Sequence, residues 1–374
     1  MKKILLILII LLNNSCLFSK KIILVSKENI KLEEVEFSEL EGWGNDDHKM
    51  ALQSFLHSCR KFAKMAEESS IGGKIGNIKV KDFRDVCEIS EALKTLNAKQ
   101  AKNFFENWFK PFLIYSNNGH GNGLFTGYYE ASLNGSFTKS DKYKYPIYGK
   151  PKNLNENPMI TRQEIENGAL ENQGLEIIYV DDKVELFFMH IQGSGRVRLD
   201  DGREVRISFA GKNKQPFVAI SNQMYEKKLI EKNKLNSAGV REWLKQNPEQ
   251  ADEIMNINPS YTFFKISQQD YVIGSQGVPL TQERSLAVDN EFIPYGLPIW
   301  LNTSLTTRNG TKAPYSRLLV SQDTGSAIKG VIRGDIFFGY GKEAEEKAFY
   351  MASKGNYYVL LPINLVDRLR NIPN

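Results

Sequence analysis

The sequence predicts a mainly β protein with helices at its N-terminal end, folded as two domains. Three observations lead there. The 374 residues exceed the roughly 100–200 expected of one domain. Apolar residues recur at helical spacing through the first third of the chain. After Gly119 the texture changes to short apolar runs punctuated by Gly, Pro and paired Asp, the pattern of strands joined by tight turns.

Taken in order, residues 47–67 place Leu52, Phe55, Leu56, Cys59, Phe62 and Ala63 on one helical face, with Asp46 or Asp47 available as a cap. A second helix is expected over 86–96. A third, over 99–109, carries Phe104, Phe105 and Trp108, and Pro111 helps to end it. Strands are expected at 124–130, 177–180, 184–192, 196–199, 204–210 and 216–220. Asp181-Asp182 and Asp200-Asp201-Gly202 read as hairpin turns. Many short strands with tight turns suggest a small β-barrel. Helices at 238–246 and 249–255, parted at Pro248, precede a second β-rich stretch. Its strands fall at 261–266, 285–288, 298–301, 318–321, 335–338 and 357–361, with a helix over 343–353. The reading is helices, a barrel, and a second barrel.

Composition excludes several classes. A hydrophobic fraction of 41% with 21 Phe and 16 Tyr supports real cores and rules out a disordered chain. The net charge of +5 is mild, and no Lys/Arg block marks a nucleic-acid arm. Met1-Lys2-Lys3 followed by an apolar run over 4–12 reads as a secretory signal, too short to span a bilayer, and residues 1–19 are assigned to it. Cys16, after Asn13-Asn14-Ser15, is a candidate lipidation site, although Asn13 stands where Leu is usual. The expectation is an exported, periplasmic protein with a candidate lipid anchor to the outer membrane. Cys59 and Cys87 are the remaining thiols. They read either as two buried cysteines or, in an exported chain, as one bridge, the latter preferred. The four histidines lack metal-ligand spacing, so no metal or cofactor is expected.

Candidate chemistry gathers in the C-terminal third. An apolar strand over 318–320 runs into Asp323, and Asp335 follows twelve positions later at the head of Ile336-Phe337-Phe338. A carboxyl beside such a strand can be desolvated, which raises its pKa towards that of a general acid. Lys329 lies between the two and could pair with one of them. Asp289 follows another apolar run. Asp is also common at strand ends for turn reasons alone. Asp-Thr-Gly-Ser is the aspartic protease signature as well, but that chemistry needs two such carboxylates and the chain has one copy. Phe125-Thr126-Gly127-Tyr128-Tyr129-Glu130 places adjacent tyrosines on opposite faces of a strand, so one packs inward while the other meets solvent or a flat ligand. His190-Ile191-Gln192-Gly193-Ser194-Gly195-Arg196 is neither a nucleophile elbow nor a dinucleotide loop.

The order of these segments decides more than any one of them. Thr126–Glu130, Pro146-Ile147-Tyr148, Gln192-Gly193-Ser194-Gly195 and Phe209-Ala210-Gly211-Lys212-Asn213 resemble the lytic murein transglycosylase A family. So do Asn258-Pro259-Ser260-Tyr261-Thr262-Phe263-Phe264, Val278-Pro279-Leu280, Ala287-Val288-Asp289 and Ile293-Pro294, and the end of the chain resembles its three-aspartate domain. Cys59 and Cys87 sit where that family often has a cysteine pair. The resemblance implies a double-psi β-barrel made from the N-terminal part (22–125) and the C-terminal part (246–374). A smaller β-barrel (126–245) is inserted between them, and a groove for peptidoglycan glycan strands lies between the two. It implies non-hydrolytic cleavage to 1,6-anhydromuramic ends by a monomer. Asp335 would be the acid/base, Asp323, Asp289 and Lys329 its supports, and Thr126, Tyr129, Gln192 and Gly193 would line the groove. Ser326 departs from the Gly more usual in the family. The rivals are a non-catalytic wall-binding protein and a two-carboxylate hydrolase using Asp323 and Asp335.

Overall fold

The computed structural model describes residues 23–25, 30–93, 97–116, 118–152 and 160–370. The expected signal segment and Cys16 lie outside the described residues. The N-terminal part comprises β1 (Ile23–Val25), β2 (Lys31–Glu34), α1 (His48–Phe62), α2 (Arg84–Ala92), α3 (Ala98–Trp108) and β3 (Phe109–Tyr115). Asp47 caps α1 by accepting from Lys49 N and Met50 N, and the face holding Leu52, Phe55, Leu56, Cys59 and Phe62 is buried. Asp46, the other cap candidate, instead turns inward. Its carboxylate takes both terminal nitrogens of the buried Arg284 at 2.7 and 2.9 Å and the amide of Leu318 at 2.8 Å. Pro111, expected to help end the third helix, lies three residues past its last residue and within β3, where its carbonyl accepts from Val35 N.

The middle of the chain holds β4 (Gly123–Ser136), β5 (Tyr145–Tyr148), the single turn α4 (Arg162–Glu164), β6 (Glu176–Val180), α5 (Lys183–Gln192), β7 (Ser194–Leu199) and β8 (Glu204–Lys212). Then come α6 (Ile220–Glu226), α7 (Ser237–Gln246), α8 (Pro248–Asn256) and β9 (Thr262–Ile266). Strand pairing runs β5–β6–β4–β7–β8–β9, and a parallel bridge between Gly149 and Phe264 joins the ends into a ring. The expected strand at 184–192 is a helix. α5 packs against β4, β5, β7 and β9, and Val184 to His190 are all buried. A run that is apolar on every side suits a buried helix as well as a buried strand, so its period carried no information. Asp182 is accordingly no hairpin residue but the N-cap of α5, accepting from Glu185 N at 3.0 Å. Residues 216–219 form no strand either and lead into α6.

The C-terminal part supplies β10 (Ser285–Val288), β11 (Pro298–Thr306), β12 (Lys312–Asp323), β13 (Arg333–Tyr340), α9 (Lys342–Tyr350), β14 (Ala352–Pro362) and α10 (Ile363–Arg370). Here β4 pairs with β13, β13 with β10, β10 with β12, β12 with β11, β11 with β14, and β14 again with β4. Six strands close on themselves, and the β4–β13 and β10–β12 pairs are parallel. The fold is thus two barrels that share one strand, with α1 packed on β12 of the C-terminal one. The sequence predicts the succession of helices, barrel and barrel, whereas the insert ring runs beyond the expected bounds 126–245, because β4 begins at Gly123 and β9 ends at Ile266. β4 makes the change in mid-strand: Glu130 still pairs towards β13, and Ala131 begins the register with β7. Gly127 permits the close β4–β13 approach, since a Cβ there would meet the Phe338 ring at 2.3 Å.

Cys59 of α1 and Cys87 of α2 form a disulfide across a separation of 28 residues. Closing a loop of that length stabilises the fold by about 3.6 kcal/mol in the chain-entropy account. The double variant Cys59→Ala/Cys87→Ala is therefore expected to lose about that much in urea unfolding, and an unchanged midpoint would contradict the assignment.

Candidate active site

Thr126, Tyr128 and Glu130 share one face of β4, and Asp335, Phe337 and Tyr340 stand opposite them on β13. At the open end of this face Thr126 Oγ1 donates to Asp335 Oδ1 at 2.6 Å. Arg333, two residues before Asp335, donates to Thr126 Oγ1 at 2.8 Å. Because Arg333 occupies a lone pair of the threonine oxygen, the threonine hydrogen is directed to Asp335. Burial pushes the Asp335 carboxyl above the usual range, and Arg333 and the Thr126 bond pull the other way without cancelling it. Asp323 adds to the upward push.

Asp323 ends β12 and is held differently. Its Oδ1 accepts from Ser275 N (2.9 Å), Ser275 Oγ (2.8 Å) and Thr324 N (2.9 Å), and its Oδ2 accepts from Tyr128 OH at 2.7 Å. Strand β10 separates the two acids. Ala287 is the register partner of Asp323 on one side and of Asp335 on the other, so their Cα atoms lie roughly 10 Å apart, two strand spacings. Asp289, just past β10, is buried. It accepts from Gly330 N at 2.8 Å and from Glu291 N at 3.3 Å. Thr324 Oγ1 donates to Val288 O at 2.7 Å. Asp323 and Asp289 thus fasten the two ends of the loop 323–330.

Several expectations change in detail. Lys329 pairs with neither Asp323 nor Asp335. Its ammonium lies 3.8 Å from Asp289 and is largely exposed. Tyr129 does not line the site. It is buried, with its ring against Phe349 and its hydroxyl donating to Glu345 at 3.3 Å. The tyrosine that faces the aspartates is Tyr128, whose phenol is pushed well above its ordinary pKa by burial and then by Asp323. Gln192 ends α5, and its side-chain amide oxygen Oε1 accepts from Tyr129 N at 3.1 Å. Gly193 caps that helix with φ at 81°. Gln192 thus serves the β4 backbone beside the site, and Gly193 ends the helix that carries it. Sequence reasoning missed Arg333 and Ser275. Arg333 shares a face with Asp335 by strand alternation and was legible in principle; Ser275 comes from a loop 48 residues away and was not.

Residues 124–265 match the family model of the MltA specific insert domain, and residues 284–361 match that of the 3D domain. The membrane-bound lytic murein transglycosylase A of Vibrio cholerae is 36% identical over 244 residues, 64% of this chain and 66% of that protein. A crystal structure of the membrane-bound lytic murein transglycosylase from Agrobacterium tumefaciens superposes with a TM-score of 0.79 at 31% identity. The match covers 91% of this chain and 99% of that one. The chain belongs to the lytic murein transglycosylase A family. Escherichia coli MltA with bound chitohexaose is a further structural relative, at 25% identity and a TM-score of 0.70, over 86% of this chain and 90% of that one. Both family models meet at the site described above, since Thr126 and Tyr128 lie in the insert match and Asp289, Asp323 and Asp335 in the other.

Proposed function

We propose that this chain cleaves the β-1,4 bond between N-acetylmuramic acid and N-acetylglucosamine in peptidoglycan non-hydrolytically, with Asp335 as its one general acid/base. The observation that carries the reading is the asymmetry of the two acids. Asp323 is engaged by four donors, two of them backbone amides, so it is a positioning group. Asp335 has one oxygen on Thr126, no hydrogen-bond partner on the other among the described residues, and a raised pKa. A hydrolase needs a second carboxylate to activate water or attack carbon. The engagement of Asp323 argues against that role.

In the first step Asp335 gives its proton to the leaving glycosidic oxygen as the C1–O4 bond breaks. In the second the resulting carboxylate takes the proton of the muramic C6 hydroxyl as O6 bonds to C1. The 1,6-anhydro ring closes and Asp335 is again protonated. Thr126 holds the carboxylate in place through both steps, with Arg333 tethering Thr126. We place the glycan in the cleft between the two barrels, the insert ring of β4 to β9 and the ring that β4 closes with β10 to β14. The names of the relatives support a periplasmic protein associated with the outer membrane, and Cys16 is the candidate anchor.

Digestion of purified peptidoglycan is expected to release muropeptides 18 Da lighter than hydrolytic products, about the mass of one water. Mass spectrometry of the soluble fraction reads this directly. Fragments with free reducing ends would instead make the enzyme a hydrolase.

A further inference from the structure

Lys212 ends β8 of the insert barrel. Its backbone position is set by pairing with Thr262 and by the following Asn213, a buried side chain that accepts from Tyr261 N and donates to the carbonyls of Ile160 and Pro259. From there its ammonium reaches the other barrel and donates to Ser326 Oγ at 3.1 Å. Ser326 lies in the loop 323–330, the loop that Asp323 and Asp289 fasten at its two ends. The contact thus joins the insert to the aspartate loop beside the site.

The chemistry of this contact is unbalanced. An ammonium has three donors, and Ser326 uses one. Among the described residues Lys212 makes no ion pair. Burial lowers its pKa and no neighbouring carboxylate restores it. Two other half-buried lysines, by contrast, are paired: Lys183 with Glu166 and Asp252, and Lys347 with Glu283 and Glu343. A desolvated cation with only a neutral partner is costly until an anion reaches it.

Building on the proposed reaction, we propose that Lys212, with Ser326, is a subsite for a carboxylate carried by the bound glycan. Every muramic residue bears a lactyl carboxyl group, which is either free or linked to a peptide that has carboxylates of its own. Polymers of N-acetylglucosamine alone carry none. A cation beside the site therefore distinguishes murein from uncharged β-1,4 glycans and fixes which sugar faces Asp335.

The test is a binding measurement in the Asp335→Asn background, which removes turnover. The probes are murein glycan strands with stems, the same strands with carboxylates converted to methylamides, and strands whose stems have been removed enzymatically. Lys212→Met is expected to weaken binding of the carboxylated strands about tenfold, the worth of one charge-assisted hydrogen bond. It should leave the amidated strands unchanged, and Lys212→Arg should keep most of the preference. If the loss appears on stem-free strands and not on stem-bearing ones, whose lactyl group is tied up in the amide bond to the stem, the anion is the lactyl carboxylate; a loss on both means that the subsite takes either carboxylate. If it is confined to stem-bearing strands, the anion belongs to the peptide. Equal affinity of Lys212→Met and its parent for all three probes overturns the proposal, as does an equal loss on carboxylated and amidated strands. The proposed reaction fails independently, if wild-type protein releases no anhydro fragments.

Discussion

Asp335→Asn is expected to lower the release of anhydro fragments by at least about 10³-fold, within the range that positioned acid/base groups contribute. Asn keeps the shape and the bond from Thr126 but can neither give nor take the proton, so binding of glycan strands should survive. The assay is fragment release set beside strand binding. A variant that still releases anhydro fragments at a tenth of the normal rate would move the acid/base elsewhere. The raised pKa adds two checks. Bond cleavage needs the protonated form, so kcat/KM should fall as pH rises through that pKa. A flat profile from about pH 4 to pH 8, bracketing the ordinary carboxyl value and what lies above it, would contradict the role.

The second check concerns stability and has a definite sign. The folded-state pKa lies above the unfolded value of about 3.9. Stability linked to this proton is therefore complete below about pH 4 and is lost as pH rises through the raised pKa. Asn carries no charge, so the variant should unfold at a higher temperature than wild type at neutral pH. Its advantage should shrink as pH falls towards 4, about the unfolded carboxyl value. A gain in stability together with a loss of activity is what a residue kept for chemistry gives.

The second large effect is structural. Glu130 is 1% exposed where β4 leaves one barrel for the other, and its two oxygens take Arg206 Nε at 2.6 Å and Arg196 Nε at 3.1 Å. Arg196 in turn stacks on Tyr340 at 4.0 Å and donates to Asp270 O and Glu204. Glu130→Ala leaves the buried Arg206 without its carboxylate and is expected to cost about 3–5 kcal/mol, the usual result of removing one member of a buried ion group. Chemical denaturation measures it. A loss below about 1 kcal/mol would mean that water replaces the carboxylate and that the junction is wetter than its packing suggests. The same variant should weaken glycan binding without removing the acid, because the triad sets how the insert meets the barrel.

Local pattern carried much of this protein. The helices at 48–62 and 98–108 follow from apolar spacing, and strands such as Ser285–Val288 follow from short apolar runs bounded by turn residues. The order of short motifs carried the family, and with it the three aspartates. What local pattern could not carry was any choice that depends on a partner far away in sequence. Alternation put Tyr128 and Tyr129 on opposite faces, but only the barrel decides that Tyr128 meets Asp323, 195 residues on, while Tyr129 is buried. Asp46 and Asp47 are equivalent as caps until Arg284, 238 residues away, claims one of them. Residues 183–192 are apolar enough for either conformation, and the surrounding insert strands make them a helix. Side-chain types and their periodicity are local properties, so the sequence by itself determined the elements whose period is distinctive and the candidate acids. Burial and hydrogen bonding arise when strands distant in the chain close a ring, so only the tertiary structure decided that Asp323 is tied down and Asp335 is left with an oxygen to spare.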